Sequence, residues 1–319
     1  MSPAIGKLLA QRILLGLFLI LLSSLLIFAG TQMLPGDVAQ AILGQSATPE
    51  ALANLRAELG LNTPIYQRYL SWLINLLHGD LGTSLTNGQN IAAAIGRRLS
   101  NTLLMAGVAA AISVPLAISL GLISVLYRNR WPDKLISAVT LASISVPEFM
   151  LSYILVFYFA VKFGLAPSVA MINPHMSLLD RLHAIALPVA VLVLVVLAHM
   201  MRMTRAALLN VMQSAYIETA ELNGLGRLKI IWRHAMPNAV APIVNVVMLN
   251  MAYLIVGVVV VEVVFVYPGM GQYLVDHVSK RDVPVVQACG IIFAGVYIFL
   301  NMLADVCSIL ANPRLRHPK

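Results

Sequence analysis

"RMTRAALLNVMQSAYIETAELNGLGRLKIIWRHAMPNA" (residues 202–239) is a charge-bearing island between two long apolar runs, and its reading decides the architecture. Its residues suit a helix as far as Asn223, and Gly224 then stands where a C-terminal cap belongs. A second helix-compatible stretch runs from about Arg227 to His234, and Pro237 is placed to open the next apolar run. The punctuation predicts two short helices joined by a glycine turn, projecting from the end of a helical bundle.

The flanks of the island are membrane-like. Of 319 residues, 60% are hydrophobic and 11% charged, against about a quarter charged in an ordinary soluble domain. The mean hydropathy is +0.86. Uncharged or nearly uncharged runs cover 13–34, 99–127, 135–161, 184–201, 239–266 and 283–304, six in all. Each is long enough, or nearly so, to cross a hydrocarbon core of about 30 Å as a helix, the form that satisfies its own backbone in lipid. Gly16, Gly107, Pro115, Pro147, Pro188, Gly257, Gly290 and Gly295 fall inside these runs, as membrane helices tolerate. The expected fold is an all-α membrane protein of six transmembrane helices.

Lys7 and Arg12 precede the first run, but 13–34 exceeds the short core of a secretory signal, about 7–15 residues, so it is read as a retained span. Cys289 and Cys307 share one run and lie roughly 27 Å apart along a helix, too far to bridge. No Cys/His cluster suggests a metal.

With the N-terminus inside, 13 Lys and Arg fall in inner segments and 8 in outer ones, while Asp37, Glu50, Glu58, Asp80, Asp180, Asp276 and Asp282 lie outside. This bias predicts both ends in the cytoplasm. It also explains the net charge of +8 without nucleic acid, because the basic residues are dispersed between apolar runs. Arg97 and Arg98 run against the bias, at the outer end of the second span. The outer loop 35–98 carries its own helix signals: Thr48, Pro49 and Glu50 form a start. Further on, Tyr66, Tyr69, Leu70, Leu73, Leu76 and Leu77, with Trp72 nearby, recur at helical spacing. The second helix either lies amphipathically at the outer interface or packs on the spans as a plain hairpin. The chain therefore divides into 1–98, a first span and long loop, and 99–319, a five-helix core containing the island. No internal repeat of 20–50 residues is visible.

In the island the order Glu218, Thr219, Ala220, then Gly224, His234 and Pro237 resembles the EAA signature of bacterial ABC importer permeases, with Thr219, His234 and Met236 as departures from it. "MLPGD" (33–37), "RAELGLNTPIYQRYLSWL" (56–73), "GDLGTSL" (79–85), "VVVEVVFVYPGMGQYL" (259–274), "RDVPVVQA" (281–288) and "NPRLR" (312–316) resemble the dipeptide and oligopeptide branch, in the expected order. The resemblance implies a type I importer-like permease fold whose island is a cytoplasmic coupling-helix hairpin, gripped by ATPases through Glu218, Thr219, Ala220, Gly224, His234 and Pro237. It implies a multi-pass place in a bacterial inner membrane, a homologous second permease, two ATP-binding subunits that bind ATP and Mg, and a periplasmic solute-binding protein. The segment "YPGMGQY" (267–273) and the interfacial helix are candidate surfaces for that binding protein.

A carboxylate near the bilayer centre costs about 2.5–3.5 kcal/mol, so acids in the runs need a partner or water. Glu148, after Pro147, and Glu262 are candidates for the translocation path. For Glu148 the alternative is a neutral or hydrogen-bonded glutamate, and for Glu262 it is structural pairing. Asp305 is expected to pair with Arg202 or Arg205. The phosphate-binding pattern G-x-x-x-x-G-K-[ST] does not occur, and no nucleophile set or HExxH appears, so ATP hydrolysis and any other catalysis are assigned elsewhere. An ion-coupled secondary transporter is the competing reading; its usual internal repeat is not seen.

Overall fold

The computed structural model describes residues 3–33, 38–44, 47–58, 60, 62–173 and 175–311. "NPRLR", with Arg314 and Arg316, as well as Lys319 and all of "MLPGD" after Met33, lie outside these residues. Helix α1 (Pro3–Gln32) is followed by α2 (Val38–Leu43), α3 (Pro49–Glu58) and α4 (Ile65–Leu77). The long α5 (Ile91–Leu126) leads to α6 (Trp131–Ser145) and α7 (Glu148–Leu155), the latter continuing as a π-helical stretch, Val156–Lys162. Then come α8 (Leu178–Ala184), α9 (Ala186–Met212), α10 (Ala215–Leu222) and α11 (Arg227–Ile230). A second π stretch (Ile231–Ala235) joins α11 to α12 (Met236–Gly257), which leads to α13 (Val259–Val264), α14 (Met270–Ser279) and α15 (Val283–Ala311).

The membrane architecture is present with one correction. Among the described residues five helical segments are continuous and apolar enough to span a bilayer, and the third expected span is a pair, α6 and α7, bent by 103°. Pro147 supplies the reason. It has no N–H to donate, and it forces Val146 into an extended conformation (φ −96°, ψ 125°), which ends α6 one residue earlier. Helices also begin earlier than their apolar runs: α5, for one, starts at Ile91, where the Asn90 side chain accepts the Ala93 N–H, and the fifth span starts at Arg227. The boundary drawn at 98/99 thus falls inside α5.

The core is built where α5, α9 and the α12–α13 segment meet. Met105, Ala109 and Ala117 of α5 face Val191, Val196 and Met200 of α9, with Leu254 and Val261 closing the third side, all fully buried or nearly so. Small residues on α5 let the backbones approach without a large hydrophobic driving force between helices in lipid. A close approach occurs at Gly121, where a Cβ would stand 3.0 Å from the Thr204 methyl. Helix α1 lies outside this core, presenting Leu14, Phe18 and Leu26 outward. It packs antiparallel on α15, with Gly16 beside Ile298 and Gly290 beside Ile27. Polar pins fasten both ends: Gln287 Nε2 donates to Thr31 Oγ1 at 2.7 Å, and Arg12 pairs with Asp305 at 2.8 Å.

These contacts fix which features share a face. The starts of α5 and α15 pack together through Ile91, Ile95, Val285 and Cys289, so their C-terminal ends point the same way. The α10–α11 hairpin, the start of α1 and the end of α15 therefore lie on one face. On the opposite face, α4 lies against α1, with Tyr69 and Trp72 on Phe28 and the Tyr69 hydroxyl 2.9 Å from Ser24 Oγ. No residue of α4 is buried, and Ile65, Tyr66, Leu70, Ile74 and Leu77 stay exposed.

Candidate functional site

The hairpin is built by two backbone devices. Helix α9 ends at Met212, and the Ser214 carbonyl accepts the Ile217 and Glu218 N–H groups, restarting the chain as α10. At the far end Gly224 adopts φ +77°, its N–H reaches the Glu221 carbonyl at 2.9 Å, and the Leu225 N–H reaches the Ala220 carbonyl at 3.3 Å. This is the left-handed glycine termination whose paired bonds satisfy the last carbonyls of a helix, and Leu225 packs back on the Ala220 cluster to complete it. A small core beneath, Ile217, Ala220, Ile230 and Ala235, holds α10 against the following segment.

That segment differs from the expected second short helix. It is the first turn of the fifth span, running through α11 and the π stretch into α12 without a break. The widened turn at Ile231–Ala235 accommodates Pro237, whose ring would otherwise press on the Arg233 carbonyl.

Of the residues expected to couple, Glu218, Thr219, Gly224 and Pro237 are exposed, His234 is half-buried, and Ala220 is buried in the hairpin's own core. Pro237 and His234 sit on the stem, whereas Glu218, Thr219 and Gly224 lie on α10 and its turn. The strongest surface feature was missed in the sequence: Leu222, 83% exposed, stands one turn beyond Glu218 on the same face of α10. A helical wheel could have found it. Ile217 and Ala220 mark the inward side, and Leu222 falls nearly opposite.

The stem is bolted to the rest of the bundle. The Arg205 guanidinium donates to both carboxylate oxygens of Asp133, at 3.0 and 2.9 Å, and to Ser124 Oγ at 2.8 Å. Ser124 also donates to Asp133, whose other oxygen accepts the Asn129 N–H at 2.9 Å. Arg227 reaches the Val125 carbonyl at 3.1 Å. The hairpin is thereby tied to α5 and α6 as well as to α9 and α12. The expected Asp305 pairing with Arg202 or Arg205 is corrected here. Asp305 meets Arg12 because α15 packs on α1, Arg205 is taken by Asp133, and Arg202 is exposed.

Glu262 also needs correction. It is fully buried and takes the structural alternative. Its carboxylate accepts the Thr102 hydroxyl at 2.6 Å and the N–H groups of Gly271 and Gln272 at 2.7 and 3.1 Å. The Met270 N–H donates in turn to Thr102 Oγ1. The acid caps the N-terminus of α14, where orphan N–H groups and the helix dipole favour a negative charge. Gly269 and Gly271 make room for it, since a Cβ on Gly269 would collide with the carboxylate and one on Gly271 would stand 2.7 Å from Val259 Cα.

"YPGMGQY" is consequently not an exposed docking surface. Tyr267, Met270 and Tyr273 are buried, the Tyr267 hydroxyl donates to the Asn101 carbonyl at 2.7 Å, and Asn101 Nδ2 donates to the Pro268 carbonyl at 2.9 Å. Burial, reinforced by the Glu262 charge, pushes the Tyr267 phenol above its usual range. Beside it, Asp282 accepts four bonds from Ser84, Leu85 and Thr86, clamping the loop before α5 to the α14–α15 turn.

Glu148 remains accessible. It is the first residue of α7, at the bend, half-buried, and accepts the Tyr253 hydroxyl of α12 at 2.5 Å. Among the described residues no group of three His, Cys, Asp or Glu could hold a metal, and Cys289 and Cys307 are free thiols.

Residues 113–317 match the family described as binding-protein-dependent transport system inner membrane component, and residues 5–120 match its N-terminal counterpart. A putative peptide transport system permease protein of Brucella abortus (strain 2308) is 34% identical over 97% of this chain and 99% of its own length. The glutathione transport system permease protein GsiC of Escherichia coli (strain K12) is 34% identical over 92% of this chain and 94% of its own. Among solved structures, a chain of the MetNI methionine ABC transporter in an inward-facing conformation superposes with a TM-score of 0.55 at 16% identity, over 68% of this chain and 96% of that one. That likeness concerns the fold.

Proposed function

The chain belongs to the family of binding-protein-dependent transport system inner membrane components, and from that premise we propose that it passes dipeptides, oligopeptides or related small solutes into the cell. It is a multi-pass inner-membrane permease subunit of an ATP-driven importer, and the ion-coupled alternative is set aside with that assignment. In the proposed complex a homologous second permease completes the membrane unit, two ATP-binding subunits hold ATP and Mg, and a solute-binding protein delivers cargo from outside. The chain ends and the α10–α11 hairpin face the cytoplasm.

One observation supports the coupling role above the others. Leu222 stands almost bare beside Glu218 and Thr219, on a capped helix whose stem is bonded to α5, α6, α9 and α12. An exposed leucine flanked by polar groups on a rigid rod suits a socket on another protein. Closure of the ATP-binding subunits on this rod favours the outward-facing bundle, and hydrolysis releases it, which requires those subunits to bind the two states with different free energies. Glu148 and Tyr253, at the bend of the third segment, are the side chains proposed to meet solute.

The test is transport by the purified complex in proteoliposomes, with the binding protein added outside. Peptide uptake should require ATP and all companion subunits. Uptake by this chain alone under an ion gradient, with ATP omitted, would overturn the reading.

A further inference from the structure

A cavity of about 520 Å³ opens on the face opposite the hairpin, between the start of α5, the segment before α8 and the α13–α14 corner. Its size lies within the range of about 300–1,000 Å³ typical of small-molecule sites. Three guanidinium side chains line it, Arg97, Arg98 and Arg181, together with Ser100, Asn101 and Asn173, and no carboxylate is among its described lining residues. Like charges gathered in one concavity repel one another, and these stand on the face where the charge bias of the chain disfavours them. An anion seated among them would offset that repulsion.

The walls are held in place. Arg98 lies 5.4 Å from the centre of the Tyr273 ring, and its charge reaches Glu262 behind the wall. Asn101 is fixed by its bond to Pro268, and the Tyr267 hydroxyl binds its carbonyl. The knot around Glu262 makes the cavity floor rigid, while Arg97 remains exposed at the rim. A fixed concavity with several guanidinium donors is suited to a planar oxyanion, which arginine binds through paired N–H groups.

We infer that this cavity is an entry site for the carboxylate of a small solute, so that a peptide's free C-terminus is held here before it passes into the bundle. The inference rests on the peptide-importer reading and on its assignment of this face to the outside. A concave site of this size fits a small molecule better than the surface of a folded protein.

The test uses the complete transporter in phosphatidylcholine nanodiscs, with trialanine and trialanine amide as probes and no binding protein present. Saturation-transfer NMR should show trialanine binding about tenfold more tightly than its amide, the factor expected for losing a charge-assisted contact. R97Q/R98Q should abolish that preference. R97Q alone, at an exposed position, should reduce it without disturbing the Tyr273 contact. Equal binding of acid and amide to the unmodified protein, or a preference that survives in R97Q/R98Q, would overturn the proposal. So would displacement of trialanine by phosphatidylglycerol in the disc, which would assign the site to a lipid headgroup. Loss of binding-protein docking in R97Q/R98Q with the acid preference intact would assign the cluster to that protein instead. ATP-dependent uptake measured in parallel separates the two readings: uptake without acid preference sinks the cavity and spares the importer, and acid preference without ATP-dependent uptake does the reverse.

Discussion

Glu262 and Glu148 are both acids in apolar runs, yet the structure gives them opposite situations. Glu262 is enclosed by three donors, so Glu262→Ala strands the N–H groups of Gly271 and Gln272 and the Thr102 hydroxyl inside the protein. Leaving a buried donor unsatisfied costs about 1–3 kcal/mol, and the variant should show a clear fall in Tm in detergent. Glu148→Gln keeps an acceptor for the Tyr253 hydroxyl and should leave Tm unchanged, while altering uptake between solutes of different charge. An identical Tm for Glu262→Ala would refute the capping role. The sequence showed that these acids needed partners, because charge in an apolar run is costly. It could not say which partners, because Thr102 lies 160 positions away and meets Glu262 only after α5 packs on the α13–α14 corner. Asp133 escaped notice for the same reason. Its partner Arg205 is 72 positions on.

Among elements, prolines divide into those that break a helix and those that do not. Pro115 and Pro242 lie inside continuous helices, whereas Pro147 separates α6 from α7. Sequence reading treats Pro147, like Pro115, as tolerated inside one span, although a distinguishing signal is present. Pro147 is followed by Glu148, an acid suited to a helix N-terminus, while Pro115 and Pro242 are followed by aliphatic residues that carry no start signal. The hairpin was legible for a similar reason, since Gly224 must supply a positive φ that costs other residues about 1–2 kcal/mol. Its bare leucine was overlooked because an apolar residue in an apolar chain attracts no attention. Leu222→Asp should insert and fold normally but fail to retain the ATP-binding subunits through purification. Gly224→Trp, whose added carbon meets nothing within 4 Å but whose positive φ strains the turn by about 1–2 kcal/mol, should still insert and likewise fail to retain those subunits. Normal retention and normal uptake in both variants would remove the hairpin from the coupling scheme.

For the whole molecule, the packing sorts features onto two faces without reference to lipid: hairpin and helix termini on one, α4 and the arginine-lined cavity on the other. Single-cysteine variants in a background freed of Cys289 and Cys307 make this measurable. Glu218→Cys should react with an impermeant maleimide only from the cytoplasmic side, and Gln67→Cys only from outside. Labelling of both from the same side would contradict the arrangement. The number of apolar segments was plain from composition. The third one's geometry was not, since a hydropathy window measures length and is blind to direction.

Helix α6 has one end gripped by Arg205 through Asp133 and the other at the elbow that carries Glu148. Its 15 residues make a lever arm of roughly 22 Å. Swung by about 10° at the gripped end, such an arm would sweep its tip through roughly 4 Å, more than the width of a methyl group. A nudge at the hairpin end would thus reach the elbow magnified and turned sideways, in the manner of a crank.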